Sequence, residues 1–249
     1  MRQWVWQTLM GILLLAVVSL LSWQAGTLTQ VESKRIRTER DRPLVVIDSG
    51  HGGKDPGKVG SGGQLEKDIN LAIALSLQYY LEASGVEVVL TRAEDQGLYS
   101  ESDRHKKAAD MKKRCQIIKE TNPDLVVSIH QNSYHDDSVS GGQVFYYKGS
   151  EEGKRLAEIL QKRFDYVLGE RNKRTPRPND SYYLLLHIRE PAVIVECGFL
   201  SNPKEAEALE DPVYQDQMAW TIHMGIMEYL HTSAEGSLQN TEDCPQFLP

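Results

Sequence analysis

Histidines and carboxylates that could hold a metal ion stand at the ends of apolar segments in this chain. His51 lies in a glycine-rich stretch just after a short apolar run, and His130 and Glu196 each end another such run. Glu66 opens a segment with helical periodicity. Two imidazoles and a carboxylate are a donor set of catalytic zinc sites, which use three protein ligands and leave a position for water.

Position alone leaves some of these roles open. Three neighbouring glycines give His51 a tight backbone and room for a substrate, which favours a ligand. A ligand is also favoured for His130, with a hydrogen-bonded core histidine as the alternative. Glu66 lies in the first turn of its predicted helix, and on that ground alone stabilisation by the helix dipole explains it better than a metal does. Glu196 follows an apolar run, and a poorly solvated acid is costly unless it is paired or used.

Other candidate sites are weaker. His135 follows the second candidate histidine by five residues, a spacing that suits neither a helix face nor a strand face. Cys115 and Cys197 have no identifiable partnering base, so neither is predicted to be a nucleophile. Residues 52–59 resemble a phosphate-binding loop, but Val59 replaces the hydroxyl residue and further glycines block the helix that such a loop requires.

The elements around these residues alternate between strand and helix. Short apolar runs predict strands at residues 44–47, 86–91, 125–129, 143–147 and 192–195, and helical spacing predicts helices at residues 65–84, 102–120, 153–168 and 214–229. We therefore expect an α/β fold, a single three-layer domain with a central mixed, largely parallel sheet flanked by helices. Sites in such sheets form beyond the carboxyl ends of the strands, where the candidate residues stand.

The amino-terminal segment has a different composition. No ionisable side chain lies between Arg2 and Glu32, and most of residues 4–23 are apolar. A helix of about 20 residues is ~30 Å long, enough to cross the hydrocarbon core of a membrane. We expect a transmembrane helix here, with a cleaved signal segment as the alternative.

Composition and net charge limit the classes of function that this chain can have. The chain has 249 residues, of which 40% are hydrophobic and 25% charged, and a formal net charge of −7. That balance is typical of a globular protein and disfavours a general nucleic-acid-binding surface. The predicted segments are an anchor or signal segment at 1–25, a linker at 26–43, a catalytic domain at 44–231 and an acidic flexible tail at 232–249.

Four motifs in a fixed order resemble the zinc-dependent N-acetylmuramoyl-L-alanine amidases. They are VIDSGHGGKDPG at residues 46–57, LEKD at residues 65–68, SIHQN at residues 128–132 and VECGFLSN at residues 195–202. The resemblance implies one Zn²⁺ per chain, bound by His51, Glu66 and His130, and a catalytic role for Glu196. It thereby reverses the dipole explanation of Glu66. No substrate-binding residue is assigned.

Two residues depart from the family pattern. Ser49 stands where the family usually has proline, and Gln131 stands where it usually has a small residue. Both flank expected ligands and replace none, so these departures concern substrate fit and leave the expected metal binding intact.

The resemblance also implies a reaction and partners. The reaction is hydrolysis of the amide between N-acetylmuramic acid and L-alanine in a glycan strand with peptide stems. A single predicted anchor, a single domain and the stretch GQVFYY at residues 142–147 resemble the germination-specific spore-cortex branch. That branch implies removal of stems ahead of muramic lactam formation and a muramic acid deacetylase in the same pathway. The mode of control stays open between an accessory protein, zinc loading and the timing of expression.

The expected substrate also bears on where the protein acts. A peptidoglycan substrate places the domain outside the cytoplasm, in the forespore intermembrane space of a spore-former, although the basic residues at 34–42 favour the cytoplasm.

Two other hydrolase functions are alternatives to this one. They are a vegetative cell-wall amidase and a zinc carboxypeptidase-like peptidase, for which Arg92 or Arg189 would bind the terminal carboxylate. A non-catalytic wall-binding module is a further alternative.

Overall fold

The structure is a computed structural model that describes residues 6–7, 10–24 and 40–242, with the backbone alone at residues 171 and 234–242. The chain divides into two compact units, Met1–Asp41 and Arg42–Pro249. In the first unit, residues 10–24 are helical (α1) and their side chains are exposed. The predicted anchor lies partly, and the predicted linker mostly, outside the described residues.

Among the residues that the structure describes, none of the helices combines the length and apolar character needed to cross a membrane.

The second unit alternates strands and helices as expected. Its described elements are β1 (Leu44–Ser49), α2 (Glu66–Ala83), β2 (Glu87–Leu90), α3 (Lys106–Thr121), β3 (Leu125–Asn132), β4 (Gln143–Tyr147), α4 (Glu151–Leu168), a 3-10 turn (Gly169–Arg171), β5 (Arg177–Asn179), α5 (Tyr183–His187), β6 (Ala192–Phe199), α6 (Pro203–Glu210) and α7 (Pro212–Glu242).

The described strands form one mixed sheet in the order β2-β1-β3-β6-β4-β5. Strands β2, β1, β3 and β6 are parallel, β4 runs antiparallel to β6, and β5 is parallel to β4. The parallel register pairs His130 of β3 with Glu196 of β6. The sequence-based prediction of a mixed, largely parallel sheet is therefore confirmed.

The core lies on both faces of this sheet, because the central strands are apolar at successive positions. On one face, the strand residues pack against α2, α4 and α7 through side chains such as Ile73, Leu160 and Ile222. On the other face, Val46 and Ile194 pack against α3 and α5. Helices on both faces give the three-layer arrangement that the alternation of elements predicts.

Several boundaries differ from the sequence-based predictions. Helix α3 begins at Lys106 and not at residue 102, because Ser100 and Asp103 form a local turn through the Ser100 amide and the Asp103 carboxylate. Strand β5 and helix α5 were not predicted, since elements of three and five residues give no periodicity. The last helix continues to Glu242, so the tail predicted from residue 232 is helical in its described part.

Candidate active site

The loop after β1 places His51 at the carboxyl edge of the sheet. His51 has a φ of 63°, in the left-handed region that non-glycine residues rarely adopt. Two buried arginines hold the backbone on both sides of it. Arg92 Nε donates to the Ser49 carbonyl at 3.0 Å, and Arg114 Nη2 donates to the His51 carbonyl at 2.7 Å. These bonds stabilise a backbone conformation that costs energy by itself.

A buried ion pair between Asp48 and Arg114 stabilises this loop. Asp48, at the end of β1, accepts hydrogen bonds from Arg114 Nη1 at 2.7 Å, Thr91 Oγ1 at 2.7 Å and Ser128 Oγ at 2.6 Å. Burial would raise the pKa of the Asp48 carboxyl, but Arg114 and the two hydroxyls lower the pKa to about 2. Asp48 is therefore charged at neutral pH, and its charge orients Arg114 towards the loop.

Glu66 begins α2 and is almost fully buried, with 2% of its surface exposed. Its Oε2 accepts from the Lys58 amide at 2.7 Å, and its Oε1 accepts from the Gln131 amide at 3.1 Å. Oε1 also lies 2.9 Å from Nδ1 of His130 and 3.3 Å from Nε2 of His51. Burial opposes ionisation, but hydrogen bonds from the two histidines hold the pKa of Glu66 well below its usual value.

His51, Glu66 and His130 thus offer one ligand atom each, and these atoms lie within 4.8 Å of one another. Nδ1 of His51 is hydrogen-bonded to Asp55 Oδ2 at 2.9 Å, which leaves Nε2 for a metal. The histidine side chains are 19% and 23% exposed, so the cluster opens to solvent. A donor set of two imidazole nitrogens and one carboxylate oxygen fits a catalytic zinc ion with an open position.

Two glycines keep space around this cluster. A Cβ at Gly50 would overlap the imidazole of His130. Gly57 has a φ of +70°, and a Cβ there would lie 2.6 Å from Oε2 of Glu66. The backbone must approach the ligands closely at both positions, which explains glycine there.

Glu196 lies beside His130 on the neighbouring strand. Its side chain is 7% exposed, and within the described part of the chain its buried Oε2 has no hydrogen-bond partner. Burial raises the pKa of Glu196 to about 7, although the charge of His130 opposes this effect; the charge of Glu66 raises the pKa less than His130 lowers it. A buried, unpartnered carboxyl with a pKa near neutrality is suited to accept and release a proton.

The other candidates are outside this cluster. Cys197 is in the core on the face opposite Glu196, as its place in the strand predicts, and burial raises the pKa of its thiol to about 12. His135 is exposed, and its ring packs against that of Tyr134 at an interplanar angle of 41°. Both residues that depart from the family pattern, Ser49 and Gln131, are buried, at 0% and 3% exposure, which separates their side chains from a solvent-borne substrate.

The arginines proposed for a peptidase do not meet its requirement. Arg92 is 2% exposed, and its guanidinium donates to the backbone carbonyls of Ser49, Gly50, Glu94 and Lys67. Arg189 precedes β6, whereas Glu196 lies near the carboxyl end of that strand. At about 3.3 Å per residue the two positions are roughly 20 Å apart. Neither side chain can bind a terminal carboxylate beside the cluster.

Sequence reasoning missed three residues that position the site. Asp48 and Asp55 lie in the first motif, and Arg114 lies in a predicted helix, but the sequence patterns assigned no function to any of the three. The buried position of Asp48 after an apolar run gave a signal, because a carboxylate there requires a partner. The partnership of Asp48 with Arg114, 66 residues away, is visible only in the structure.

Comparison with known proteins agrees with this geometry. The family model described as N-acetylmuramoyl-L-alanine amidase matches residues 45–228. The germination-specific N-acetylmuramoyl-L-alanine amidase of Bacillus subtilis (strain 168) is 36% identical over 189 residues, which are 75% of this chain and 79% of that relative.

Solved structures show the same similarity. The CwlD amidase from Clostridioides difficile, in complex with the GerS lipoprotein, has a TM-score of 0.75 and 40% identity, covering 77% of this chain and 100% of that chain. The catalytic domain of CwlV, an N-acetylmuramoyl-L-alanine amidase from Bacillus (Paenibacillus) polymyxa var. colistinus, has a TM-score of 0.67 and 34% identity, covering 76% and 98%.

Proposed function

The chain belongs to the N-acetylmuramoyl-L-alanine amidase family, and from that premise we propose how its own residues perform the reaction. It is a cell-wall amidase, a hydrolase of the amide between N-acetylmuramic acid and L-alanine. We assign metal binding to His51, Glu66 and His130 and catalysis to Glu196. The observation that supports the assignment is the convergence of the three ligand atoms within 4.8 Å beside a buried, unpartnered carboxyl.

The metal that we propose is one Zn²⁺ per chain. When bound, zinc would polarise the amide carbonyl and acidify water. Asp55 would hold His51 in the tautomer that presents Nε2, and the amides of Lys58 and Gln131 would fix the Glu66 carboxylate. The chain's own residues thus supply a rigid set of donors before any metal is present.

Glu196 is proposed as the general base and acid. Its carboxylate would take a proton from the attacking water and deliver it to the nitrogen of L-alanine, the leaving group. In the metal-free protein, burial raises the pKa of Glu196 to about 7, so its carboxyl takes up and releases a proton near neutral pH. Its burial also keeps bulk water from competing for that proton.

The test separates metal binding from proton transfer. Glu196→Gln is expected to retain zinc at one per chain but to lose about 10²–10⁴-fold in kcat, the usual contribution of a general base. Glu66→Gln is expected to lose zinc itself. Metal analysis and release of free muramoyl carboxyl from purified muropeptides measure both. Full turnover by Glu196→Gln would contradict the catalytic role, and a zinc-loaded Glu66→Gln would contradict the ligand role.

The finer biological role that we propose is in the spore cortex. It is supported by the similarity to a germination-specific amidase and to an amidase solved with a lipoprotein. We propose that residues 44–231 are the catalytic domain, acting in the forespore intermembrane space on peptide stems ahead of a muramic acid deacetylase and muramic lactam formation. By analogy, an accessory lipoprotein is the proposed partner.

Membrane anchoring through residues 1–25 remains a proposal of its own. It is supported by the apolar side chains of residues 10–24, which are exposed in the described helix. Anchoring is tested by fractionating cells that express either the whole chain or a chain beginning at residue 42. Recovery of both in the same fraction would argue against an anchor.

A further inference from the structure

A cavity beside the metal-ligand cluster carries charges that the mechanism above does not use. It has a volume of about 260 Å³, shares His51 with the cluster and is also lined by Asp55, the hydrogen-bond partner of His51. Its walls include three lysines, Lys54, Lys106 and Lys107. A group bound in this cavity would therefore lie next to the proposed reaction centre and face three ammonium groups.

The two carboxylates in the cavity wall are engaged with other partners. Asp55 accepts from Nδ1 of His51 and from the amide of Gly57. Asp110 accepts from the amide of Leu98 and from Arg114 Nε. Within the described residues, neither carboxylate forms a hydrogen bond or a short ion pair with a cavity lysine, so these two carboxylates do not occupy the lysine ammonium groups.

The lysines already hold a carboxylate at the edge of the cavity. Nζ of Lys54 lies 3.1 Å from Oε1 of Glu101, and Nζ of Lys106 contacts Oε2 of the same residue, whose side chain is 74% exposed. Lys107 forms no hydrogen bond and no short ion pair in the described part of the chain, although its charge attracts the Asp55 carboxylate across the cavity. Two of these ammonium groups thus share a carboxylate, and within the described residues the third, that of Lys107, has none at hydrogen-bond distance.

Lys106 and Lys107 lie where positive charges reduce the stability of helix α3. They occupy its first turn, which contains no acidic residue and lacks a side-chain cap. The positive end of the helix dipole disfavours cations there. Residues that reduce the stability of their own helix are often found at functional sites.

The substrate has its negative charge on one side of the scissile bond. The lactyl carboxyl of N-acetylmuramic acid is consumed in the amide, so the sugar side is left with hydroxyl and acetamido groups. A peptide attached through the nitrogen of its L-alanine has a free carboxylate at its other end. A ligand that extends from the reaction centre into a lysine-walled cavity is therefore the peptide side.

We propose that this cavity binds a carboxylate of the peptide stem, with Lys107 as its principal partner and Lys106 beside it. This inference rests on the proposed function, because it places the scissile amide at the cluster of His51, Glu66 and His130. It makes Lys107 a specificity-determining residue for acidic stems.

The experiment compares two substrates and three enzymes. The substrates are an N-acetylmuramoyl peptide with free carboxylates and the same peptide with every carboxylate amidated. The enzymes are the zinc-loaded wild type, Lys107→Gln and the matched control Lys112→Gln, which removes the same charge from an exposed position of the same helix outside this cavity. Steady-state kinetics give kcat and KM, and thermal unfolding checks that all three are folded.

In Lys107→Gln we expect the KM for the free-carboxylate substrate to rise about threefold, within the range for a partly exposed ion pair, with kcat unchanged. The KM for the amidated substrate should stay the same, and Lys112→Gln should behave as the wild type. An equal KM for the two substrates in the wild type, or a KM ratio unchanged by Lys107→Gln, overturns this inference alone. Hydrolysis of neither substrate by the wild type overturns the proposed function and this inference with it.

Discussion

At the scale of single residues, the site depends on how each side chain is held in one protonation state and orientation. Glu66 is kept ionised by His130, His51 and two backbone amides, whereas Glu196 has no partner at its buried oxygen within the described part of the chain. The two carboxyls are close, yet their pKa values are shifted in opposite directions. This separation supports the proposal that Glu66 binds the metal and Glu196 transfers protons.

The raised pKa of Glu196 predicts a stability effect in the metal-free protein. Below its ordinary value of 4.5 the carboxyl is protonated in both states, and above its folded value of about 7 it is charged in both. Stability conferred by the protonated form is therefore lost as the pH rises from 4.5 to 7. We expect Glu196→Gln to gain up to about 3 kcal/mol in free energy of unfolding, relative to wild type, between pH 5 and pH 8.

The gain in free energy of unfolding is measured by urea unfolding of the wild type and Glu196→Gln. The measurements are made with a chelator present, at intervals between pH 5 and pH 8. Glu210→Gln, a replacement at an exposed acid, is the matched control and should show no such trend. A constant difference between Glu196→Gln and the wild type at all pH values would mean that the carboxyl titrates normally.

Asp55 is predicted to be a positioning residue for zinc. It accepts the proton of His51 Nδ1, and loss of such a partner commonly costs 10–100-fold in metal affinity. We expect Asp55→Asn to weaken zinc binding by about 10-fold or more, measured by competition with a chromophoric chelator. The control is Asp68→Asn, an exposed acid in the first turn of α2. Equal zinc affinities for the two variants would remove the positioning role from Asp55.

At the scale of elements, the ends of four segments make the site. The loop after β1, the start of α2, and the ends of β3 and β6 each contribute one residue of the proposed machinery. Helix α3 contributes Arg114, which joins Asp48 of β1 to the His51 carbonyl. The site therefore depends on the packing of α3 against the sheet, although no proposed ligand lies on that helix.

The Arg114 pair gives a prediction at this scale. Arg114→Met leaves the buried Asp48 charge unpaired, and breaking a buried pair costs about 3–5 kcal/mol. Chemical denaturation should show a loss of that size. The double variant Asp48→Asn/Arg114→Met removes both charges and should recover part of it. A double variant with the full sum of the two single losses would mean that the residues act independently.

At the scale of the whole molecule, all of the described core lies in the second unit. The two hydrophobic clusters include residues from Val45 to Leu230. The unit Arg42–Pro249 accordingly contains a complete three-layer fold and the whole candidate site.

The last helix gives the prediction at this scale. In the part of α7 whose side chains are described, up to residue 233, the last buried apolar side chain is Tyr229, and the others include Met218, Ala219, Ile222 and Ile226. A chain of residues 42–233 should keep the melting midpoint and amidase activity of the chain 42–249. A chain of residues 42–211 exposes the α2 and α4 faces and should not fold, as judged by circular dichroism. A folded 42–211 chain would contradict the role given to α7.

The sequence by itself determined the fold class and the identity of the expected ligands. Alternating apolar runs and helical periodicities are local patterns, and the carboxyl ends of parallel strands meet at one edge of a sheet. The order of these patterns along the chain therefore sufficed to place His51, His130 and Glu196 together. The expected fold class and family are confirmed, while the roles of these residues stay predictions for the experiments above.

Tertiary structure decided what local patterns cannot encode. Position alone favoured a dipole role for Glu66, and only the approach of β3, 64 residues away, places His130 against its carboxylate. The Asp48–Arg114 pair and the lysine-walled cavity likewise join residues from separate elements. The physical reason is that side-chain distances across the fold, and the burial that shifts a pKa, depend on how helices pack on the sheet.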